Sequence, residues 1–210
     1  MTQNQSLPTS LPVVFLHDVV VLPGMVVPIE LDDSARAAID AARLAADSHL
    51  DEGPGREPAR VLVAPRLEDR YATHGVVAVV DKVGRFAGGK PAAVLRAEHR
   101  AAIGAGVTGP GAALWVEAED VPDVEPTETT RELAEDYRAL VVSVLERREA
   151  WQVIETVRQI VDPGTLADMS GYAPYLDNEQ KRQVLETADV DDRLRLLIEW
   201  TRAYYAQGRQ

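Results

Sequence analysis

The 210-residue chain contains no cysteine, three lysines, two phenylalanines and no long apolar run. Without cysteine there can be no disulfide framework, no thiolate metal site and no cysteine nucleophile. Basic residues are scarce. Twenty-two Lys and Arg face 34 Asp and Glu, for a formal net charge of -12. Residues 1–120 carry 11 basic against 16 acidic groups, and residues 121–210 carry 11 against 18. Neither half is a hidden basic module, so the surface repels nucleic-acid phosphate. A membrane span is also missing. The most apolar segment, FLHDVVVLPGMVVPIEL (15–31), is interrupted by His17, Asp18 and Glu30 and broken by Pro23-Gly24. A spanning helix needs roughly 20 consecutive apolar residues. The opening MTQNQSLPTSLP has no positive n-region and no small-residue cleavage site, so it reads as a short disordered leader over 1–10 and points to the cytoplasm.

What is present is ordinary globular chemistry: 46% hydrophobic and 27% charged residues, enough chain for a sizeable core. Residues 11–120 read mostly as strands. Segment 15–31 predicts two paired strands around the Pro23-Gly24 turn. DDSARAAIDAARLAADS then predicts an alanine-rich helix capped by Asp33 or Ser34, with a thin apolar stripe of Ile39 and Leu44. DEGPGREP (51–58) reads as a flexible loop. RVLVAPR, GVVAVVDKVGRF, KPAAVLRAEHRAAIG and AALWVEAEDV read as further strands separated by Gly-rich turns. Six strands and one helix suggest a curled sheet or partial barrel, an arrangement that hides strand edges.

VPDVEPTETT (121–130) is acidic and proline-containing, and marks a change of apolar period from two to about 3.6. It predicts a linker before a helical bundle over 131–207. Thr129 and Glu132 have capping-box spacing. Leu133, Tyr137, Leu140, Val141, Val144 and Leu145 share a face of the following helix, and Trp151, Ile154, Val157 and Ile160 continue a second stripe until Asp162-Pro163-Gly164 stops it. Asp177 can cap a helix over EQKRQVLETA, and Asp191 or Asp192 can begin RLRLLIEWTRAYYA, whose Leu194, Leu197, Ile198 and Thr201 line one side.

Catalytic patterns fail on inspection. Gly84 through Lys90 matches the spacing of a P-loop, but Pro91 follows where a magnesium-binding hydroxyl is needed. Gly104, Gly106 and Gly109 match a dinucleotide fingerprint, yet Pro110-Gly111 follow in place of a helix. Both read as interstrand turns. His17 and Asp18 are adjacent on a strand and point to opposite faces. His49, His74 and His99 lie in separate elements without metal-ligand spacing. No serine sits in a G-x-S-x-G elbow, and Lys82, Lys90 and Lys181 form no recognisable Ser–Lys pair. The chain reads as a binding module, not an enzyme. Its candidate contact residues are the apolar side chains set in turns, Leu22, Pro23 and Met25 in one and Phe86 in another, each of which either packs into the core or forms an exposed apolar surface that binds other polypeptides. Met suits promiscuous contacts because it is flexible and polarizable.

An ordered set of segments carries a family resemblance. LPVVFLHDVVVLPGMVVPIEL, RVLVAPR, Tyr71 and Gly75 ahead of GVVAVVDKV, DPGTLAD (162–168) and QKRQVLETADVDDRLRLLIEW (180–200) together resemble the N-terminal domain of the Lon protease family across nearly the whole chain after the leader. His17 stands where that family often has Arg, Leu22 where Phe is common, and KVGRFAGGKPAAVLRAEHRAAIG diverges from the usual strand pair. The resemblance implies an α+β fold: a β-rich, PUA-like partial barrel with one helix, followed by a C-terminal helical bundle. It also implies a non-catalytic role in recruiting unfolded or damaged polypeptides and degron-bearing proteins, and in assembling a hexamer with other Lon subunits. ATP and Mg belong, by the same resemblance, to domains outside this chain, which itself has no cofactor. The chain ends about where the family's long connecting helix begins, so a longer protease is expected. The competing expectation is a stand-alone PUA-like protein that binds a small ligand or nucleic acid.

Overall fold

The computed structural model describes residues 8–48, 58–66 and 70–207. Positions 1–7 of the expected leader, His49 and positions 51–57 of the expected loop lie outside them. Thr9 and Ser10, assigned to the leader by sequence, instead begin the first strand. The chain divides into two compact units, Met1–Val121 and Pro122–Gln210.

The first unit is built from β1 (Thr9–Leu16), β2 (Val26–Glu30), α1 (Asp33–Ser48), β3 (Arg60–Pro65), β4 (His74–Arg85), β5 (Pro91–Val107) and β6 (Trp115–Asp120). The strands run in the order β2-β5-β4-β3-β1-β6, and β6 pairs again with β5. Five strands therefore close on themselves. The 17-residue β5 makes this possible. One edge of it pairs with β4 along most of its length; the other serves β2 at Ala92–Arg96 and then β6 at Ala101–Val107. β1 and β2 do not form the hairpin that the sequence suggests. β1 lies parallel to β3 and antiparallel to β6, while β2 is antiparallel to β5.

The apolar pattern explains the packing. Val61, Leu62, Val63 and Ala64 are all buried, a continuous run rather than an alternating one. Such a strand must be covered on both faces. Leu62 joins Val13, Val77, Ala101 and Val116 in one cluster. Helix α1 packs on β1 and β3, burying Ile39 with alanines 35, 38, 41 and 42, while Leu44 is exposed. Ile39 thus packs as expected, and alanines complete the contact face in place of Leu44. The helix cap is Asp32, whose Oδ1 accepts from the Ala35 N–H at 2.7 Å, one residue ahead of the expected position.

The second unit contains α2 (Glu128–Arg147), α3 (Trp151–Gln159), α4 (Pro163–Asp168), a 3-10 turn (Met169–Tyr172), α5 (Asn178–Glu186) and α6 (Val190–Gln207). The capping box of α2 is Thr127 with Thr130, not Thr129 with Glu132. α3 ends at Gln159, ahead of the expected stop at Asp162-Pro163-Gly164, and Asp162-Pro163 starts the next helix. The Asp162 carboxylate accepts from the Thr165 N–H at 2.7 Å, and Pro163 occupies the first turn, where its missing N–H costs nothing. Asp177 and Gln180 cap α5 reciprocally. Asp189, ahead of the expected Asp191 or Asp192, caps α6 by accepting from the Asp192 N–H at 3.0 Å. Leu194, Leu197, Ile198 and Thr201 form the buried face of α6.

One polar group runs through this core. Arg193 is fully buried and donates from Nη1 to Asp168 at 2.8 Å and from Nη2 to Asp123. It ties the segment entering α2 to the end of α4 and the start of α6. Two carboxylates on one buried guanidinium leave its charge satisfied where water cannot reach it.

Candidate functional site

The turn at Leu22–Met25 faces inward. Pro23 and Gly24 occupy its centre, and Gly24 has a φ of +82°, the left-handed conformation that a type II turn requires at that position. The Met25 N–H donates to the Leu22 carbonyl at 3.2 Å, and the turn is fastened to β5 by Gly24 N–H to Ala97 carbonyl at 3.1 Å and Ala97 N–H to Met25 carbonyl at 2.8 Å. Leu22 is 0% exposed and Met25 4%. Met25 sulfur accepts from the Leu22 N–H at 3.2 Å. These two side chains are core, which corrects their assignment to an exposed contact surface; Pro23 remains half-buried at the surface.

Phe86 is where the sequence puts it, at the tip of the β4–β5 hairpin, 40% exposed. The P-loop spacing dissolves into that hairpin. Phe86 N–H donates to the Lys90 carbonyl and Gly89 N–H to the Phe86 carbonyl. The dinucleotide spacing has a packing reason too. The Trp115 indole lies against Gly109, where a Cβ would collide with it, and its Nε1–H donates to the Pro110 carbonyl at 3.0 Å. His17 and Asp18 are exposed beyond the end of β1. Among the described residues no group of His, Cys, Asp and Glu could hold a metal ion.

An opening into apolar interior lies in the helical unit. A pocket of about 300 Å³ is walled by α2 (Val141, Leu145), α3 (Val153, Val157), α4 (Leu166) and Tyr175 from the segment after the 3-10 turn. The α2 stripe therefore does not close into core. Val141 and Leu145 stay half-buried, while Val153 and Tyr172 are 42% and 49% exposed. Tyr137 lies at the buried end. Burial pushes its phenol well above the usual value, and the neighbouring Tyr175 adds to the effect. Burial raises Tyr175 as well, partly offset by its hydrogen bond to Thr201. Both phenols are thus neutral lining groups. Ser170 also lines the pocket. It is 2% exposed, and its Oγ has no hydrogen-bond partner among the described residues. Asp168, close to it in sequence, is held by Arg193.

Arg148 stands at the pocket's edge. Its Nε and Nη2 donate to the Tyr204 hydroxyl at 3.2 and 2.7 Å, and Tyr204 stacks on Tyr175 with ring centroids 4.6 Å apart. A second hollow, about 270 Å³, adjoins the first through Val144 and Arg148 and is lined also by Arg147 and Tyr205. The Arg147 guanidinium sits 3.7 Å above the Tyr205 ring, and Nη1 donates to the Tyr205 carbonyl at 3.0 Å. The sequence reading missed this site. Its signal was the MSGYAPY segment (169–175), where aromatic and small residues follow a very short helix.

Comparison with known proteins supplies the family. The model of the ATP-dependent protease La (LON) substrate-binding domain matches residues 10–203. The Lon protease of Mycolicibacterium smegmatis is 54% identical over 198 residues, covering 94% of this chain and 24% of the protease; that of Salinispora arenicola is 48% identical with the same coverage. The chain thus spans about a quarter of the length of the curated relatives it matches. Among solved structures, the N-terminal domain of Mycobacterium avium complex Lon protease superposes with a TM-score of 0.83 at 56% identity, covering 92% of this chain and 98% of that one. The Lon N-terminal domain protein of Xanthomonas campestris, 20% identical with a TM-score of 0.59, shares the fold. The family match runs from residue 10 to residue 203 and so through both units, and this chain belongs to the Lon protease substrate-binding domain family.

Proposed function

We propose that this chain is the non-catalytic recognition module of an ATP-dependent serine protease, and that it recruits unfolded or damaged polypeptides through apolar side chains they expose. The observation that carries this reading is the half-open apolar pocket in the helical unit of a substrate-binding domain. A folded protein buries its large apolar side chains, whereas an unfolded one offers them to a pocket of this kind. Discrimination then needs no sequence code. Phe86 on the hairpin tip and Pro23 at the surface of the β unit are further contacts in this proposal.

A single pocket of one side chain's size binds weakly. Linked copies convert later contacts into intramolecular ones and raise avidity by about 10²–10⁴ without any new contact. A hexamer of the full-length protein would supply those copies. ATP hydrolysis, with its magnesium, and Ser–Lys peptide cleavage would belong to the remaining three-quarters of a protein of the relatives' length. The cytoplasm is the compartment this role fits, and no helix among the described residues is long and apolar enough to cross a membrane. The stand-alone reading, a PUA-like protein for a small ligand or nucleic acid, is not retained. The relatives are protease chains, and the acidic balance of both halves opposes phosphate.

The test is binding of the chain to a chemically unfolded polypeptide and to the same polypeptide in its folded form, read by fluorescence anisotropy. Selective binding of the unfolded form is expected. Equal binding to both, or none to either, overturns the proposal.

A further inference from the structure

We infer that the pocket between α2, α3 and residues 169–175 reads the C-terminal residue of a polypeptide, taking its apolar or aromatic side chain while Arg148, with Arg147 beside it, holds the terminal carboxylate. The inference rests on the recognition role proposed above and names the part of the client that this site selects.

Charge is the first support. Residues 121–210 carry 18 acidic groups against 11 basic ones. The two adjoining hollows reverse that balance, since among the described residues their charged lining groups are Arg147 and Arg148, and no carboxylate lines either. Glu146 and Glu149 flank the pair in sequence without lining the hollows. The guanidinium bonds of both arginines run to neutral acceptors, the Tyr204 hydroxyl and the Tyr205 carbonyl. Each guanidinium has five N–H donors in a planar fork, so donors remain for a carboxylate. The stacked Tyr175–Tyr204 pair and the Tyr205 ring hold the two side chains in place. Little rotamer freedom is then lost on binding an anion.

Size is the second support. At about 300 Å³ the pocket is at the bottom of the range for ligand sites, about 300–1,000 Å³, and admits one bulky side chain, not an extended segment. The cations stand at its edge, so the anion must sit within one residue of the inserted side chain. A C-terminal residue meets that condition in every sequence, because its side chain and carboxylate share one Cα. An internal Asp or Glu meets it only when it neighbours a suitable apolar residue in a suitable conformation.

The experiment uses the whole chain and N-terminally labelled peptides ending in Phe or Leu, each made as free acid and as C-terminal amide, with binding read by anisotropy. The free acids are expected to bind at least tenfold tighter than the amides, with the gap narrowing at high salt. Arg148→Gln should remove the difference, and Arg148→Lys should keep part of it. Val141→Trp, which fills the pocket, should weaken the free acids to the level of the amides. Equal affinity of acid and amide for the unaltered chain overturns the inference without need of any variant. So does an amide with an internal Glu that binds as tightly as the free acid, since the anion source is then not the terminus. A chain that prefers unfolded polypeptide yet ignores the acid–amide difference sinks this inference alone. A chain that binds no unfolded polypeptide sinks the recognition role as well.

Discussion

The Leu22–Met25 turn and the α2–α3 pocket invert one another. In sequence the turn looks like bait, with a Leu and a Met beside Pro-Gly, and the α2 stripe looks like core. In the structure the turn is sealed, with Leu22 at 0% exposure, and the stripe stays half-open at Val141 and Leu145. The difference lies in what covers each. The turn is clamped to β5 by two backbone hydrogen bonds at Ala97, and its Leu22 and Met25 side chains are buried. The α2 face turns towards α3, and here length decides. At about 1.5 Å per residue, the 20 residues of α2 run about 30 Å and the nine of α3 only about 14 Å. A short partner cannot cover a long stripe. Apolarity in sequence says which residues seek cover; only the neighbouring elements say which of them find it.

The strongest way to break this comparison is to remove what holds the helical unit in shape. Arg193→Ala leaves Asp168 and Asp123 without the cation between them, and losing one partner of a buried pair costs about 3–5 kcal/mol. Chemical denaturation followed by the far-ultraviolet helical signal should show a loss of that size. A shift below about 1 kcal/mol would mean that the cluster does not set the geometry around the pocket. Next in size is Leu22→Ala. It empties a fully buried site and should cost about 2–5 kcal/mol in the same measurement. Met25→Asp should likewise lower the thermal transition sharply. A Met25→Asp chain that melts normally but no longer binds unfolded polypeptide would return the turn to the contact surface.

Val153→Asp tests the opposite side of the comparison. Val153 is 42% exposed on the pocket wall, so its replacement should change stability by no more than about 0.5 kcal/mol. A carboxylate in that wall should weaken binding of unfolded polypeptide at least tenfold. Intact binding would move the contact surface away from the pocket.

Much of the fold was legible because apolar period reports secondary structure directly. The six strands, α1 and the helical half follow from it. Caps were legible only where a second residue marked the candidate out. Asp177, with Gln180 at capping-box spacing, caps α5, whereas Asp32, Asp33 and Ser34 compete at α1 and the first of them wins. The same ambiguity displaced the caps of α2 and α6. Strand pairing was not legible. β1 and β2 are neighbours in sequence, yet each pairs with strands far along the chain, and that choice is made by barrel closure around β5. Family membership was legible in the order of motifs. The pocket was not, since it arises from the relative lengths of α2, α3 and α4.

Phe86 offers the smallest and most exacting test. Sequence and structure agree that it sits at a hairpin tip, 40% exposed, outside the packed part of the β unit. Phe86→Ser should therefore leave the thermal transition within about 0.5 kcal/mol of the parent, the usual range for a surface change. Its effect on polypeptide binding separates two ways of using the domain. If the pocket alone captures clients, the change is neutral. If the hairpin is a second contact on the same client, affinity for a long unfolded polypeptide should fall about two- to fivefold, while a short peptide that reaches only the pocket is unaffected, because a lost second contact matters only when one chain can span both. The expected outcome is that split between long and short ligands. Equal loss for both would mean that Phe86 acts through the fold, and no loss for either would confine recognition to the helical unit.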